Sequence, residues 1–284
     1  MKRIWALVGV VAIAAIAFGV QRAATAPGAS VYQDAAPIAV ADLPVQLEEL
    51  TWTEVRALIA AGHRTVIIPT GGTEQNGPHM VLGKHNHVVR HTAGRIAREL
   101  GQTLVAPVVA YVPEGDIDRR TSHMAFAGTI SIPEDTFAGV LEATARSLAA
   151  HGFEHICFLG DSGGNQAAQA RVAKRLNARW AGSRTRALHV GTYYDGNGQQ
   201  AWLESQGESK ETIGMHAGIR DTSELLAIHP EGVRAERARP GALPEMANAG
   251  VDGDPTRANA ERGRALLQMK VDAAVRQIRG ELGN

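Results

Sequence analysis

Cysteine is nearly absent from this chain. Cys157 is the one thiol in 284 residues, so no internal disulfide can staple the fold. It lies within the apolar run HICFLG, residues 155–160, and reads as a small apolar residue of a buried strand rather than a nucleophile. An excess of charge is absent as well. The 29 Lys and Arg balance 29 Asp and Glu, and without a basic footprint nucleic acid is not an expected partner. No internal repeat, coiled-coil heptad or long low-complexity tract runs through the sequence, which leaves a globular protein. With 44% hydrophobic and 20% charged residues, the composition suits one domain of about 230–250 residues behind an N-terminal extension.

That extension reads as a targeting segment. Met1, Lys2 and Arg3 give a positive start, IWALVGVVAIAAIAFGV an apolar core, and QRAATAPGAS the small residues a signal peptidase accepts, with cleavage expected near Ala26. The region has neither a twin-Arg motif nor a cysteine for lipid attachment. Seventeen apolar residues also reach the lower edge of spanning length, so an uncleaved anchor is the alternative, and it would be the one link to a membrane. Residues 1–26 are expected as signal peptide or anchor and 27–49, rich in Ala, Pro and Gln, as a linker. Residues 50–284 are expected as the domain, periplasmic or secreted.

Within the domain, apolar runs alternate with helical periodicity. Strands are expected at 65–70 (TVIIPT), 103–112 (TLVAPVVAYV), 155–160 (HICFLG) and 186–194 (RALHVGTYY). Helices are expected at 50–62, 87–101, 133–152, 165–180 and 255–280. This order predicts an α/β fold, a three-layer α/β/α sandwich with a mostly parallel central sheet. In such folds ligands bind beyond the carboxyl ends of the strands.

The chemistry-bearing residues fall there. The stretch GTEQNGPHMVLGKHNH, after the first strand, carries Glu74, Asn76, His79, His85 and His87. Glu114, Asp116, Asp118 and His123 follow the second strand, Asp161, Ser162 and Asn165 the third, and MHAGIRDTSELL adds His216 and Asp221. Carboxylates and imidazoles from four loops suit Zn²⁺ or Mn²⁺, one ion or two, with a position left for water. Each residue also has a plain structural reading. Asp161 with GGN could turn the chain and cap the next helix, and Asp221 sits where a first-turn acid or N-cap belongs. Ser162 in GDSGG lacks the strained G-x-S-x-G elbow of a serine nucleophile.

The sequence resembles the creatininase (creatinine amidohydrolase) family from about Leu50 to Pro240. The landmarks are LTWTEVRALIAAG; IIPTGGTEQNGPHMVLGKH against P-x-G-S-x-E-Q-H-G-P-H-L-P-L-G-T-D; SHMAFAGTISI against H-x-x-F-P-G-T; GDSGGN against N-G-H-G-G-N; and HAGIRDTSELL against H-A-G-x-x-E-T-S. The resemblance implies a metal-dependent hydrolase of cyclic amides and related C–N bonds, α/β/α in fold, assembled as a hexamer with two divalent ions. Glu74 matches a metal-binding Glu, and His216 a His that takes part in proton transfer. Asn76 stands in place of a metal-binding His, His85 in place of the bridging Asp, Ser162 in place of another His, and Asp221 in place of a Glu. Gly to Asp at 161 beside His to Ser at 162, with Asp to His at 85, suggests a rebuilt site.

The leading expectation is therefore an exported, metal-dependent hydrolase acting on a C–N bond of a small molecule. Glu74, His85 and Asp161 are expected to bind metal, and His216 and Asp221 to be catalytic. Asn76, His123, Ser162 and Asn165 are expected to line the substrate pocket. The alternatives are a non-catalytic binder that keeps the fold, and a metal-free hydrolase or lyase working through Ser162 or His216.

Overall fold

In this computed structural model, residues 38–242 and 249–283 are described. The expected signal peptide or anchor, 1–26, lies outside them. Two units partition the chain: Met1–Ile38, of which Ile38 alone is described, and Ala39–Asn284, the subject of everything below. No helix among the described residues is long and apolar enough to cross a membrane.

Four strands form one parallel sheet in the order β2-β1-β3-β4: β1 (Thr65–Thr70), β2 (Thr103–Val105), β3 (His155–Gly160) and β4 (Arg186–His189). The helices are α1 (Trp52–Ala60), α2 (Lys84–Leu100), α3 (Glu134–Ala150), α4 (Gly163–Arg179), α5 (Gln199–Ser205), α6 (Lys210–Ile213), α7 (Ile219–Ile228) and α8 (Ala260–Leu282). The pleat divides the apolar side chains between two faces. Val66 and Ile68 of β1, with Ile156 and Phe158 of β3, pack against Leu58 of α1, Phe137 and Leu141 of α3, and Val172 and Leu176 of α4. Ile67, Cys157 and Leu159 face the other way, onto Val89 and Ile96 of α2 and Val271 and Ile278 of α8. Covering on both faces explains why TVIIPT is apolar without alternation. The three-layer α/β/α expectation holds. Burial pushes the Cys157 thiol up to about 12, which fits its structural reading.

Four departures from the sequence reading shape the core and the site. Strand β2 ends at Val105, because Pro107 has no N–H for a ladder; beyond it Val109 N–H donates to the Pro69 carbonyl at 2.9 Å. Strand β4 stops at His189, and Gly191–Tyr193 coils into a 3-10 turn. Residues 39–49, expected within the linker, run beside β2 instead: Val105 N–H donates to the Val45 carbonyl at 2.8 Å, and Leu43 and Leu47 pack on the core. Helix α2 starts at Lys84, not His87, which places Lys84 and His85 in its first turn. The last shift matters for function.

Helices α7 and α8 cross closely over the sheet end. A Cβ on Gly263 would lie 1.8 Å from the Ser223 carbonyl oxygen, so the crossing requires glycine there. Glu224 of α7 and Lys270 of α8 meet across this crossing, Nζ to Oε2 at 3.0 Å.

Candidate active site

A cavity of about 640 Å³ opens at that end of the sheet, lined from the loops after all four strands and from α7 and α8. At its floor, His85 lies between two carboxylates. Its Nε2 is 2.9 Å from Glu74 Oε1 and its Nδ1 2.7 Å from Asp161 Oδ2. The three residues expected to bind metal do meet. They meet as a charged cluster that Lys84 also enters, its Nζ 2.9 Å from the same Nε2; a carboxylate on each nitrogen favours the doubly protonated ring, which has no lone pair for a metal. Burial and the neighbouring Lys84 oppose that charge, but Glu74 and Asp161 prevail and lift His85 to about 9. Asp161 also accepts from Tyr193 Oη at 2.8 Å and Lys270 Nζ at 2.7 Å. Burial alone would raise its pKa; Lys270 and His85 hold it down at about 2.

Two buried lysines complete this layer. Lys84, 1% exposed, pairs with Asp221 Oδ1 at 3.0 Å. Lys270 bridges Asp161 to Glu224 Oε2 at 3.0 Å. Buried lysines persist only with partners, and the carboxylates keep both charged, with Lys84 raised and Lys270 raised well above the usual value despite burial. Sequence reasoning missed both. The signals were present: Lys84 replaces the Thr of L-G-T-D, and Lys270 sits in the inward register of Leu267, Val271 and Ala274.

Metal-compatible donors converge one layer higher. Ligand atoms of Glu74, His123 and His216 all lie within 4.8 Å of one another. His123 Nε2 is 3.6 Å from Glu74 Oε2, and His216 Nδ1 is 3.8 Å from Glu74 Oε1. Burial lowers both imidazoles, His216 to about 4, so both are neutral, the form that ligates. His216 Nε2 lies 3.0 Å from the Gln75 carbonyl and 2.9 Å from the Gln75 Nε2 amide, and the tautomer that donates to the carbonyl is the one that leaves Nδ1 open toward Glu74. Both histidines adjoin a strained residue: Ser122 (φ 54°) and Ala217 (φ 53°) are left-handed without being glycine. Asp221 steadies the second of these by accepting the Ala217 N–H at 2.7 Å. Two neutral imidazoles and one carboxylate fit a single divalent ion.

The other expected pocket residues divide. Ser162 lines the cavity, buried, with no partner for its hydroxyl among the described residues. It precedes the first amides of α4, which have no intrahelical acceptor. Asn76 and Asn165, expected to line the pocket, are turned away. Asn76 Nδ2 donates to the Glu74 carbonyl at 2.9 Å, and Asn165 Nδ2 to Thr70 Oγ1 and the Gly71 carbonyl at 2.8 Å each. Both are scaffold, holding the ends of β1 and its loop. Glu114, which the sequence offered without a role, lies against Glu74; burial first and that neighbour second raise it to about 10, so its carboxyl is neutral.

A family model described as creatininase, creatinine amidohydrolase, matches residues 48–278. The mycofactocin precursor peptide peptidase of Mycobacterium tuberculosis is 30% identical over 239 residues, covering 75% of this chain and 84% of that protein. The creatinine amidohydrolase of Pseudomonas putida is 27% identical over 254 residues, 82% of this chain and 95% of that one. A solved structure described as creatininase Mn superposes with a TM-score of 0.71 at 23% identity, covering 84% of this chain and 99% of its own, a likeness of fold.

Proposed function

This chain belongs to the creatininase family, and from that premise we propose that it is a metal-dependent hydrolase of an amide-like C–N bond. One observation carries the reading: Glu74, His123 and His216, from three separate loops, bring ligand atoms within 4.8 Å of one another. The similar proteins support the bond type, since one is named a peptide peptidase and another an amidohydrolase. A carbonyl group joined to nitrogen, in a small molecule or a peptide end, is the common chemistry.

A divalent ion such as Zn²⁺ or Mn²⁺ supplies Lewis acidity, to the substrate carbonyl or to a water. The protein supplies the rest. Glu74 and the two neutral imidazoles hold the ion. The free Ser162 hydroxyl and the first amides of α4 can take the substrate oxygen, since helix N-termini favour negative charge. Asp221, expected as a catalytic partner of His216, here fixes Ala217 and Lys84 and so holds His216 in place.

The test is hydrolysis of a panel of lactams, cyclic ureides, formamides and short peptides, with and without chelator. Chelator-sensitive turnover that is lost in His123→Ala and His216→Ala supports the reading. Turnover that survives chelation points to the metal-free alternative, and ligand-induced thermal stabilisation without turnover points to a binder. We also propose export, supported by the basic, apolar and small-residue order of residues 1–26. Cell fractionation with N-terminal sequencing of the mature protein tests it, and a cytoplasmic chain beginning at Met1 would overturn it.

A further inference from the structure

Resting on the hydrolase reading above, we propose that Arg220 clamps a free carboxylate on the substrate, so that the preferred amides are those of peptide C-termini and N-acyl amino acids. Arg220, in the first turn of α7, is the one arginine lining the cavity among the described residues. It is partly buried, and its Nη2 donates to the Gly214 carbonyl at 3.3 Å. No carboxylate among the described residues forms an ion pair with it. Asp221, next in sequence, gives its Oδ1 to Lys84 and its Oδ2 to the Ala217 amide instead. A guanidinium offers five donors in a planar fork that matches both oxygens of a carboxylate, and one long bond to a carbonyl uses only one of them. Partial burial without a counter-ion is costly, and an incoming carboxylate relieves that cost.

The two lysines of the same cavity are already committed. Lys84 is held by Asp221 at 3.0 Å, and Lys270 lies between Asp161 at 2.7 Å and Glu224 at 3.0 Å. An anion reaching either would displace a buried carboxylate. The position of Arg220 fits the chemistry. Gly214, which anchors its guanidinium, precedes Met215 and the proposed ligand His216, so the clamp stands on the loop that brings His216 to the ion site. Ser162 and the first amides of α4 come from a different loop, after β3, and separate elements thus take the scissile carbonyl and the acid group. The other carboxylates of this wall compete little. Asp252 Oδ2 accepts the Met215 N–H at 2.8 Å, and Asp195 is exposed, where water and salt screen its charge. A carboxylate remote from the reacting bond is unchanged by hydrolysis, so the clamp acts on KM rather than on kcat.

The test follows cleavage by the metal-loaded full chain, read by chromatography, on N-acetyl amino acids and dipeptides, each as the free acid and as the C-terminal primary amide. The wild type is expected to favour the acids at least about tenfold in kcat/KM, chiefly through KM. Arg220→Gln, with its fold checked by circular dichroism, should lose that preference by raising KM for the acids. Arg220→Lys keeps the charge but not the fork and should retain part of it. Equal kcat/KM on acids and amides, or a preference that survives in Arg220→Gln, would overturn the inference and leave the hydrolase reading standing. Turnover confined to neutral lactams, ureides or formamides would do the same. No chelator-sensitive turnover on any of these substrates would overturn both. Should Arg220→Gln fail to fold, the wild-type ratio and its reduction in Arg220→Lys still decide.

Discussion

Lys270 Nζ lies 2.7 Å from Asp161 Oδ1, tying the last helix of the chain to the loop after β3. Both residues are buried, and the same ammonium also holds Glu224. Lys270→Met would leave Glu224 without its cation and Asp161 with His85 and Tyr193 only. We expect a loss of about 3–5 kcal/mol in urea unfolding at neutral pH, the usual cost of breaking a buried pair from one side. A loss under about 1 kcal/mol would mean that water reaches the carboxylates.

Ser162 and Asn165 should separate pocket from scaffold. The Ser162 hydroxyl has no partner among the described residues, so Ser162→Ala should change stability by less than about 0.5 kcal/mol while lowering turnover. Asn165→Ala removes two buried hydrogen bonds and should destabilise by about 1–3 kcal/mol. Parallel denaturation and rate measurements on the two variants check the contrast, and equal stability losses would break it.

Gly263 sets the spacing of α7 and α8. Gly263→Ala drives a Cβ to 1.8 Å from the Ser223 carbonyl oxygen and forces the helices apart, for an expected loss of about 1–3 kcal/mol. Thermal melting measures it. A neutral result would mean that the crossing can slide.

Acid stability should show Glu208. Arg257 and Arg262 clamp its carboxylate at 2.6 and 2.7 Å, and the hydrogen bond from Arg257, ahead of the opposing effect of burial, lowers its pKa. A depressed carboxylate stabilises the fold above its unfolded pKa of about 4.3, and that contribution disappears as pH falls through the folded value. Stability should therefore drop below about pH 4 more steeply in the wild type than in Glu208→Gln. Superimposable pH profiles for the two proteins would remove Glu208 from the account.

The alternation of apolar runs and helical periods was enough to expect the α/β/α layers, because burial on both faces writes itself into TVIIPT and HICFLG. Boundaries were less legible. Nothing local announces that α2 begins at Lys84, since its N-cap is Gly83 with no capping side chain. The meeting of Glu74, His85 and Asp161 was readable, but its chemistry was not. Whether an imidazole ligates or is protonated depends on what faces each nitrogen, and neither Lys84, in GKHNH, nor Lys270, in QMKVD, is marked by its sequence neighbours as a partner for that site. His123 was expected in the pocket but not among the ligands, because its approach to His216, ring centroids 4.6 Å apart, exists only after folding.

Cys157 offers a practical consequence. Its strand lies between β1 and β4, and its sulfur is buried under α2 and α8 and holds its proton far above neutrality. Alkylating reagents can therefore reach it only when α2 and α8 part from the sheet. The rate of labelling by such a reagent under mild denaturant is a clock for whole-domain opening, already built into the natural chain and needing no engineered probe.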